Sequence, residues 1–374
     1  MRKLLSLLVL GICGAAAAQS VTFTNAPGRM SDISVRGSSI LGDRVGTGGI
    51  YLIGTLDGSD AHGKSVTSKG STNGIMMSDS PTIPGPKFKL SFTQTGPTSV
   101  SFYAEVGPVQ TTFAGMSMPF DFGKQAVSSF RFNGTRYLLG GVPNPWRQGS
   151  AGNYRDIPTP FRVTDAQGNL LGYVGVASTT LPTTWAEVSG GFGTVRVDVT
   201  RSSHYGNLHF YNHFGTNNLE LGFGSMKKGE TAFVEGMIQV VPQIWTYKAS
   251  TGLFHQVGRA DSGGWSASKS DPANKYLCYG PYEDEAPAGD YGAEFHLMLD
   301  NVTADNKAIV NLDVYDANSG CVLASQKLTR KQFKKANNYQ AFTLAFTAPS
   351  KARLEFRTYF LGGAYVREEK VTLK

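Results

Sequence analysis

Tyr276, Tyr279 and Tyr282 crowd the run KYLCYGPYEDE, and Arg357 and Tyr359 share one face of ARLEFRTYF with Glu355 beside them. Tyr365 follows on the next strand. Sugar rings present apolar C–H patches rimmed by hydroxyls, so aromatic platforms next to Arg, Asp, Asn and Glu suit them physically. Plain packing of these tyrosines at sheet edges is the alternative reading. A second set lies in SHYGNLHFYNHFG, residues 203–215. On a strand, Asn207, His209, Tyr211 and His213 point one way. His209 and His213 could share a metal with Glu220 as third ligand, although the spacing is none of the strong zinc patterns. A polar outer face is the preferred reading there. A sugar-contacting face lined by His209, Tyr211 and His213 is a further one.

Asp300-Asn301 and Asp305-Asn306 flank the loop DNVTADN. Oxygen-rich loops can hold Ca²⁺, which makes Asp300 and Asp305 the candidate metal ligands and a structural Ca²⁺ the one cofactor expectation. A turn closed by Asx hydrogen bonds explains the same residues and is preferred. Glycoside hydrolysis needs two carboxylates about 5–10 Å apart. Asp121, Glu187, Asp198 and Glu220 are available, and none sits in a recognisable motif. A lyase would need a base and an acid such as His204 and Tyr205, but neighbours on a strand face opposite ways. The chain has no nucleophile elbow, Cys–His arrangement or zinc-type cysteine pair. The Gly190–Gly193 stretch lacks the following helix that phosphate binding requires and reads as a bulge or strand bend.

The elements that position these residues are strands. In Lys307–Asp316, Ile309, Asn311, Asp313 and Tyr315 fall on one face and Val310, Leu312 and Val314 on the other. Asn318-Ser319-Gly320 turns the chain into Cys321–Leu328, and Tyr339–Thr347, Ala352–Phe360 and Ala364–Leu373 follow. Period-two alternation over several short runs predicts an antiparallel β-sandwich. Upstream, runs such as Phe88–Thr93, Ser99–Glu105, Trp185–Thr200 and Thr231–Val241 are also strand-like, with Asn133-Gly134 a strong hairpin signal. Long Gly/Ser/Pro/Asn loops interrupt this region, including 143–160 with Trp146 and Tyr154. One large sandwich fits, and two smaller ones split near Gly115–Gln125 are the alternative. The expected order is a leader at 1–19, a large β-sandwich of unknown role at 20–249, a Gly/Ser-rich connector at 250–271, and a β-sandwich module at 272–374. The fold class is all-β, with two jelly-roll-like sandwiches.

Composition agrees. Of 374 residues, 40% are hydrophobic and only 17% charged, below the usual ~25%, and there are 45 glycines. Arg2-Lys3, the apolar stretch Leu4–Gly14 and the small residues Ala15–Ala18 predict a cleaved signal peptide. That stretch is shorter than the ~20 residues that span a bilayer, and no transmembrane segment is expected. A secreted, extracellular or periplasmic protein follows. Leu10-Gly11-Ile12-Cys13 invites lipid anchoring, but bulky Ile12 before the cysteine fits such a signal poorly. The net charge of +7 is modest and scattered. Its one cluster, Arg330-Lys331 with Lys334-Lys335, reads as a solvated face, so no nucleic-acid partner is expected. After leader removal Cys278 and Cys321 remain, as a disulfide or as two buried thiols. Oligomeric state is left open.

The run from GDYGAEFHLMLDN through LDVYDA and LEFRTY to AYVREEKVTL resembles the galactose-binding-like β-sandwich, over about a hundred residues. That jelly roll recurs as a carbohydrate-binding module beside bacterial glycoside hydrolases and lyases. The resemblance implies a ligand at loops on one edge of the sandwich and a structural Ca²⁺, and no ligand residue is carried over from it. Residues and resemblance together predict a secreted protein that binds a glycan or polysaccharide. A polysaccharide-active hydrolase or lyase with its site in the first region is the alternative, and a structural or adhesive envelope protein the third.

Overall fold

The computed structural model describes residues 21–41, 49–56, 64–122, 127–132, 135–139, 161–164, 170–174, 184–203, 207–213 and 216–374. The expected leader, the 143–160 loop with Trp146 and Tyr154, His204, Tyr205 and the Asn133-Gly134 turn lie outside the described residues. The described chain is built almost wholly of antiparallel strands, as its alternating sequence dictates. Its helical content among the described residues is the 3₁₀ turn Arg330–Gln332.

The first core gathers residues from Val21 to Val240. One of its sheets carries Phe113–Asp121 at its centre, bonded to Gly49–Tyr51, Ile53–Leu56 and Thr216–Met226. The segment 115–121, the place of the alternative split into two sandwiches, thus lies within a strand of this core. The facing sheet runs in the order Leu170–Val174, Phe161–Thr164, Thr135–Leu139, Val127–Phe132, Trp185–Gly190, Gly193–Ser202, Ala232–Pro242, Ser99–Val106 and Phe88–Gly96. Phe102 of one sheet meets Phe120 of the other edge to face, ring centres 6.2 Å apart. The expected single strand over 185–200 is a hairpin: Gly193 takes φ +116, and a Cβ there would sit 2.1 Å from the Val241 carbonyl.

The second core runs from Ala249 to Leu373 between two sheets. One contains Arg259–Asp261, Gly264–Ala267, Val366–Leu373, Gly289–Leu299 and Gln340–Ala348 in that order, with Trp245–Lys248 also on Val366–Leu373. The other contains Lys275–Cys278, Leu354–Phe360, Ala308–Asp316 and Cys321–Thr329, with Pro281–Glu283 also on Leu354–Phe360. Thus residues 250–271 are not a connector. They supply two strands, and Ala249, Leu253 and Val257 are core residues. Their short runs between Gly/Ser turns resemble linker because the sheet partner, Val366–Leu373, is a hundred residues away in sequence.

A turn of the first sandwich touches the second. Arg36, at φ 51, lays its guanidinium 4.9 Å from the Tyr291 ring centre and 6.0 Å from that of Trp245. It donates to the Gln243 carbonyl, while its own carbonyl accepts from the Asp290 amide at 2.8 Å. The Ser38 hydroxyl donates to the Ala288 carbonyl.

The two cysteines among the described residues are free thiols. Cys278 is buried and Cys321 exposed, so neither the disulfide nor the pair of buried thiols holds. The basic cluster divides similarly. Lys331, Lys334 and Lys335 are exposed, whereas Arg330 is buried at 2% exposure.

Candidate functional site

The outward face of the sheet containing Leu354–Phe360 collects most of the candidate residues. Leu354, Phe356 and Phe360 point into the core, so strand alternation turns Glu355, Arg357 and Tyr359 the other way. On Ala308–Asp316 the same logic turns Asn311, Asp313 and Tyr315 outward. Register sets Asn311 opposite Tyr359, Asp313 opposite Arg357 and Tyr315 opposite Glu355.

Aromatic rings form a continuous run along this face. Tyr359 meets Tyr276 edge to face at 5.1 Å between ring centres. Tyr276 lies 5.8 Å from Tyr279, Tyr279 5.6 Å from Phe254, and Phe254 6.0 Å from Tyr282. Phe254 is 51% exposed, in spite of the cost of wetting an aromatic ring. Backbone bonds between Phe254 and Tyr279, at 2.8 and 2.9 Å, fix its place. Gly280 makes room for its ring, because a Cβ there would fall 2.8 Å from Phe254 Cδ2. Tyr282 holds φ +74, a conformation few side-chain-bearing residues adopt.

Two arginines lie on these rings. The Arg357 guanidinium is 4.0 Å from the Tyr315 ring centre and 5.5 Å from that of Tyr276, and Arg353 is 4.9 Å from Tyr282. Arg357 Nε donates to Asp313 Oδ1 at 2.5 Å. Asp313 and Glu355 are both covered, at 6% and 7% exposure. Burial pushes the Asp313 carboxyl up in pKa even against Arg357. Burial also raises Glu355, with Arg357 pulling the other way and Asp313 adding to the rise.

Of the expected residues, Tyr279, Tyr282, Arg357 and Tyr359 are brought together. Tyr365 is not: its hydroxyl donates to Asp261, beside Arg367, next to the other sheet of the sandwich. Tyr359 donates its hydroxyl to the Asn274 carbonyl at 2.8 Å, which leaves its ring as the contact surface. Phe254, Tyr315 and Asp313 complete the face and were not singled out from the sequence. The signal for Phe254 was the pair Leu253-Phe254, one residue inward and the next outward.

His209, Tyr211 and His213 belong to the first sandwich, on the strand Asn207–His213. Register places His209 opposite Glu220, Tyr211 opposite Asn218 and His213 opposite Thr216. Their side chains lie outside what is described. The Asp300–Asn306 loop wraps an internal cation. Arg330 Nε donates to Asp305 at 3.1 Å, and its terminal nitrogens donate to the Asn301 carbonyl at 2.6 Å and the Gly363 carbonyl at 2.8 Å. Asp300 lies 3.9 Å away. The Asn301 side chain accepts from Thr303 and Ala304, the Asx pattern expected of a turn. Among the described residues no group of three His, Cys, Asp or Glu is placed to hold a metal.

Two of the four candidate carboxylates of the first region, Glu187 and Asp198, are committed to ion pairs. Glu187 receives Arg131 at 2.7 Å and Arg196 at 3.1 Å, and Asp198 receives Arg196 at 2.7 Å. Burial raises Glu187, but the two guanidiniums hold it below the usual carboxylate range, the opposite of a general acid's need.

No family model and no curated protein matches the chain. Solved structures similar to it include the C-terminal CBM6 of LamC, a marine laminarinase from Zobellia galactanivorans, at 7% identity and TM-score 0.25, over 35% of this chain and 99% of that one. The Slr1438 protein from Synechocystis sp. PCC 6803 is similar at 12% identity and TM-score 0.33, over 59% of this chain and 93% of that one. The CBM22-1-CBM22-2 tandem of Paenibacillus barcinonensis Xyn10C is similar at 11% identity and TM-score 0.24, over 79% and 93%. Carbohydrate-binding modules are therefore among the solved structures it is similar to. At these scores the likeness carries no argument, and the functional reading rests on the side chains.

Proposed function

We propose that the chain is an exported glycan-binding protein whose binding surface is the outer face formed by Tyr359, Tyr276, Tyr279, Phe254 and Tyr282. The observation that carries this reading is the unbroken run of rings from Tyr359 to Tyr282 through half-exposed Phe254, with Arg357 and two covered carboxylates beside them. Rings of this kind stack on the C–H faces of sugars, and the polar groups between them meet the hydroxyls. The surface lies on a sheet face rather than in a deep cleft, so each contact is weak and strength comes from multiple attachment to a polymer. Export is supported by the leader-like residues 1–19. No helix among the described residues is long and apolar enough to cross a membrane.

The test is a glycan array with the full chain, followed by affinity electrophoresis of Phe254→Ala and a reducing-sugar assay. Retention on at least one glycan, lost in Phe254→Ala, is the expected result. Sugar release without retention would replace this reading with the enzyme.

A further inference from the structure

Glu355 lies on the outward face of the same strand as Arg357 and Tyr359. It is 7% exposed, and among the described residues no hydrogen bond or ion pair reaches its carboxylate. Its surroundings explain why. Arg357, two residues on along the same strand, is turned to Asp313 and to the Tyr315 ring. Arg353, two residues back, lies over Tyr282. Across the sheet Glu355 is opposite Tyr315 on one side and Pro281 on the other, and neither bonds to it. Unlike Glu368, which is sealed in the core at 0%, Glu355 keeps an opening to solvent.

Covering an ionised carboxylate without a donor is costly, and a ligand that brings O–H donors recovers that cost. We propose that Glu355 is the specificity-determining acceptor of this face. It takes the hydroxyl protons of a neutral polyhydroxylated sugar ring stacked on the tyrosines, and it turns away uronic-acid and sulfated chains. Two hydroxyls on adjacent ring carbons offer one donor to each carboxylate oxygen. An anionic sugar at the same place meets a like charge in a poorly solvated setting and is rejected. Buried polar groups discriminate strongly because a mismatched ligand leaves them unpaired. This inference rests on the glycan-binding reading and adds the ligand class.

The experiment compares the full chain with Glu355→Gln, Glu355→Leu and Phe254→Ala on xylan, galactan, dextran, polygalacturonate and dextran sulfate. Wild type is expected to be retained on a neutral polymer and to run free on both anionic ones. Glu355→Gln should weaken retention by roughly 10–100-fold, the scale of a charge-assisted hydrogen bond, with an unchanged or higher melting temperature. Loss of retention in Phe254→Ala with full retention in Glu355→Gln would overturn the role of Glu355 while keeping the face. No retention of wild type on any glycan would remove the face itself. The wild-type panel needs no variant to fold, and preference there for either anionic polymer also overturns the inference.

Discussion

The Glu368 carboxyl of one sheet lies beside the Cys278 thiol of the sheet facing it, both at 0% exposure. Thr358 is the third polar group of this set, and neither Glu368 oxygen finds a partner in hydrogen-bond geometry. Burial pushes Glu368 from 4.5 up to about 7, with Thr358 and Cys278 offsetting only part of the rise. The folded state thus binds this proton more tightly than the unfolded chain. The contribution of Glu368 to stability is full below pH 4.5, falls as pH climbs, and levels off above 7, after a loss on the order of 3 kcal/mol. Urea denaturation at pH 5 and pH 8 measures this. Glu368→Gln should flatten the difference, and a variant with the wild-type slope would remove Glu368 as its source.

Arg330 takes the place expected for a metal. Its guanidinium is enclosed at 2% exposure by Asp305 and two carbonyls. Arg330→Met should lower stability by about 1–3 kcal/mol, because the Asn301 and Gly363 carbonyls lose their donor. Arg330→Lys should recover only part, since an ammonium cannot reproduce the planar fork. Thermal unfolding with Ca²⁺ and with chelator provides the companion measurement. Equal melting temperatures are expected, and a rise with Ca²⁺ would restore the metal reading.

Phe254 and Tyr365 should separate cleanly. Phe254→Ala removes a half-exposed ring, so stability should change by no more than about 1 kcal/mol while glycan retention falls at least tenfold. Tyr365→Phe deletes only the hydroxyl that Asp261 accepts, away from the ring run, and retention should stay at wild type. Affinity electrophoresis of the two side by side decides. Equal losses in both would place the ligand elsewhere.

The thiols make a probe of folding. Exposed Cys321 should react with a maleimide in the native protein, while Cys278 stays protected until the second core opens. Burial and the neighbouring Glu368 both raise the Cys278 thiol pKa, which slows it further. Mass spectrometry after timed labelling should find Cys321 modified first. Prompt double labelling would mean that the core around Cys278 opens readily.

Alternation made the C-terminal strands legible, and with them the shared face of Arg357 and Tyr359. It says which way a residue points relative to its neighbours, not which sheet its strand joins. Tyr365 was therefore grouped with tyrosines that lie on the opposite side of the sandwich. Phe254 escaped because its anchor, Tyr279, pairs with it across a segment that reads as linker. Arg330 looked like part of a solvated basic patch, since its acceptors at Asn301 and Gly363 are about thirty residues away in either direction. Glu368 sits in the alternating run VREEKVTL, where nothing local distinguishes the inward acid from the outward one.

The turn at Arg36 has a mechanical consequence. A guanidinium seated against Trp245 and Tyr291, with backbone bonded to Asp290, fastens the two sandwiches at a point rather than leaving them on a tether. They should tumble in solution as one particle. Whatever the first sandwich carries is then aimed at a set angle to any polymer held by the second, as a tool is by its handle.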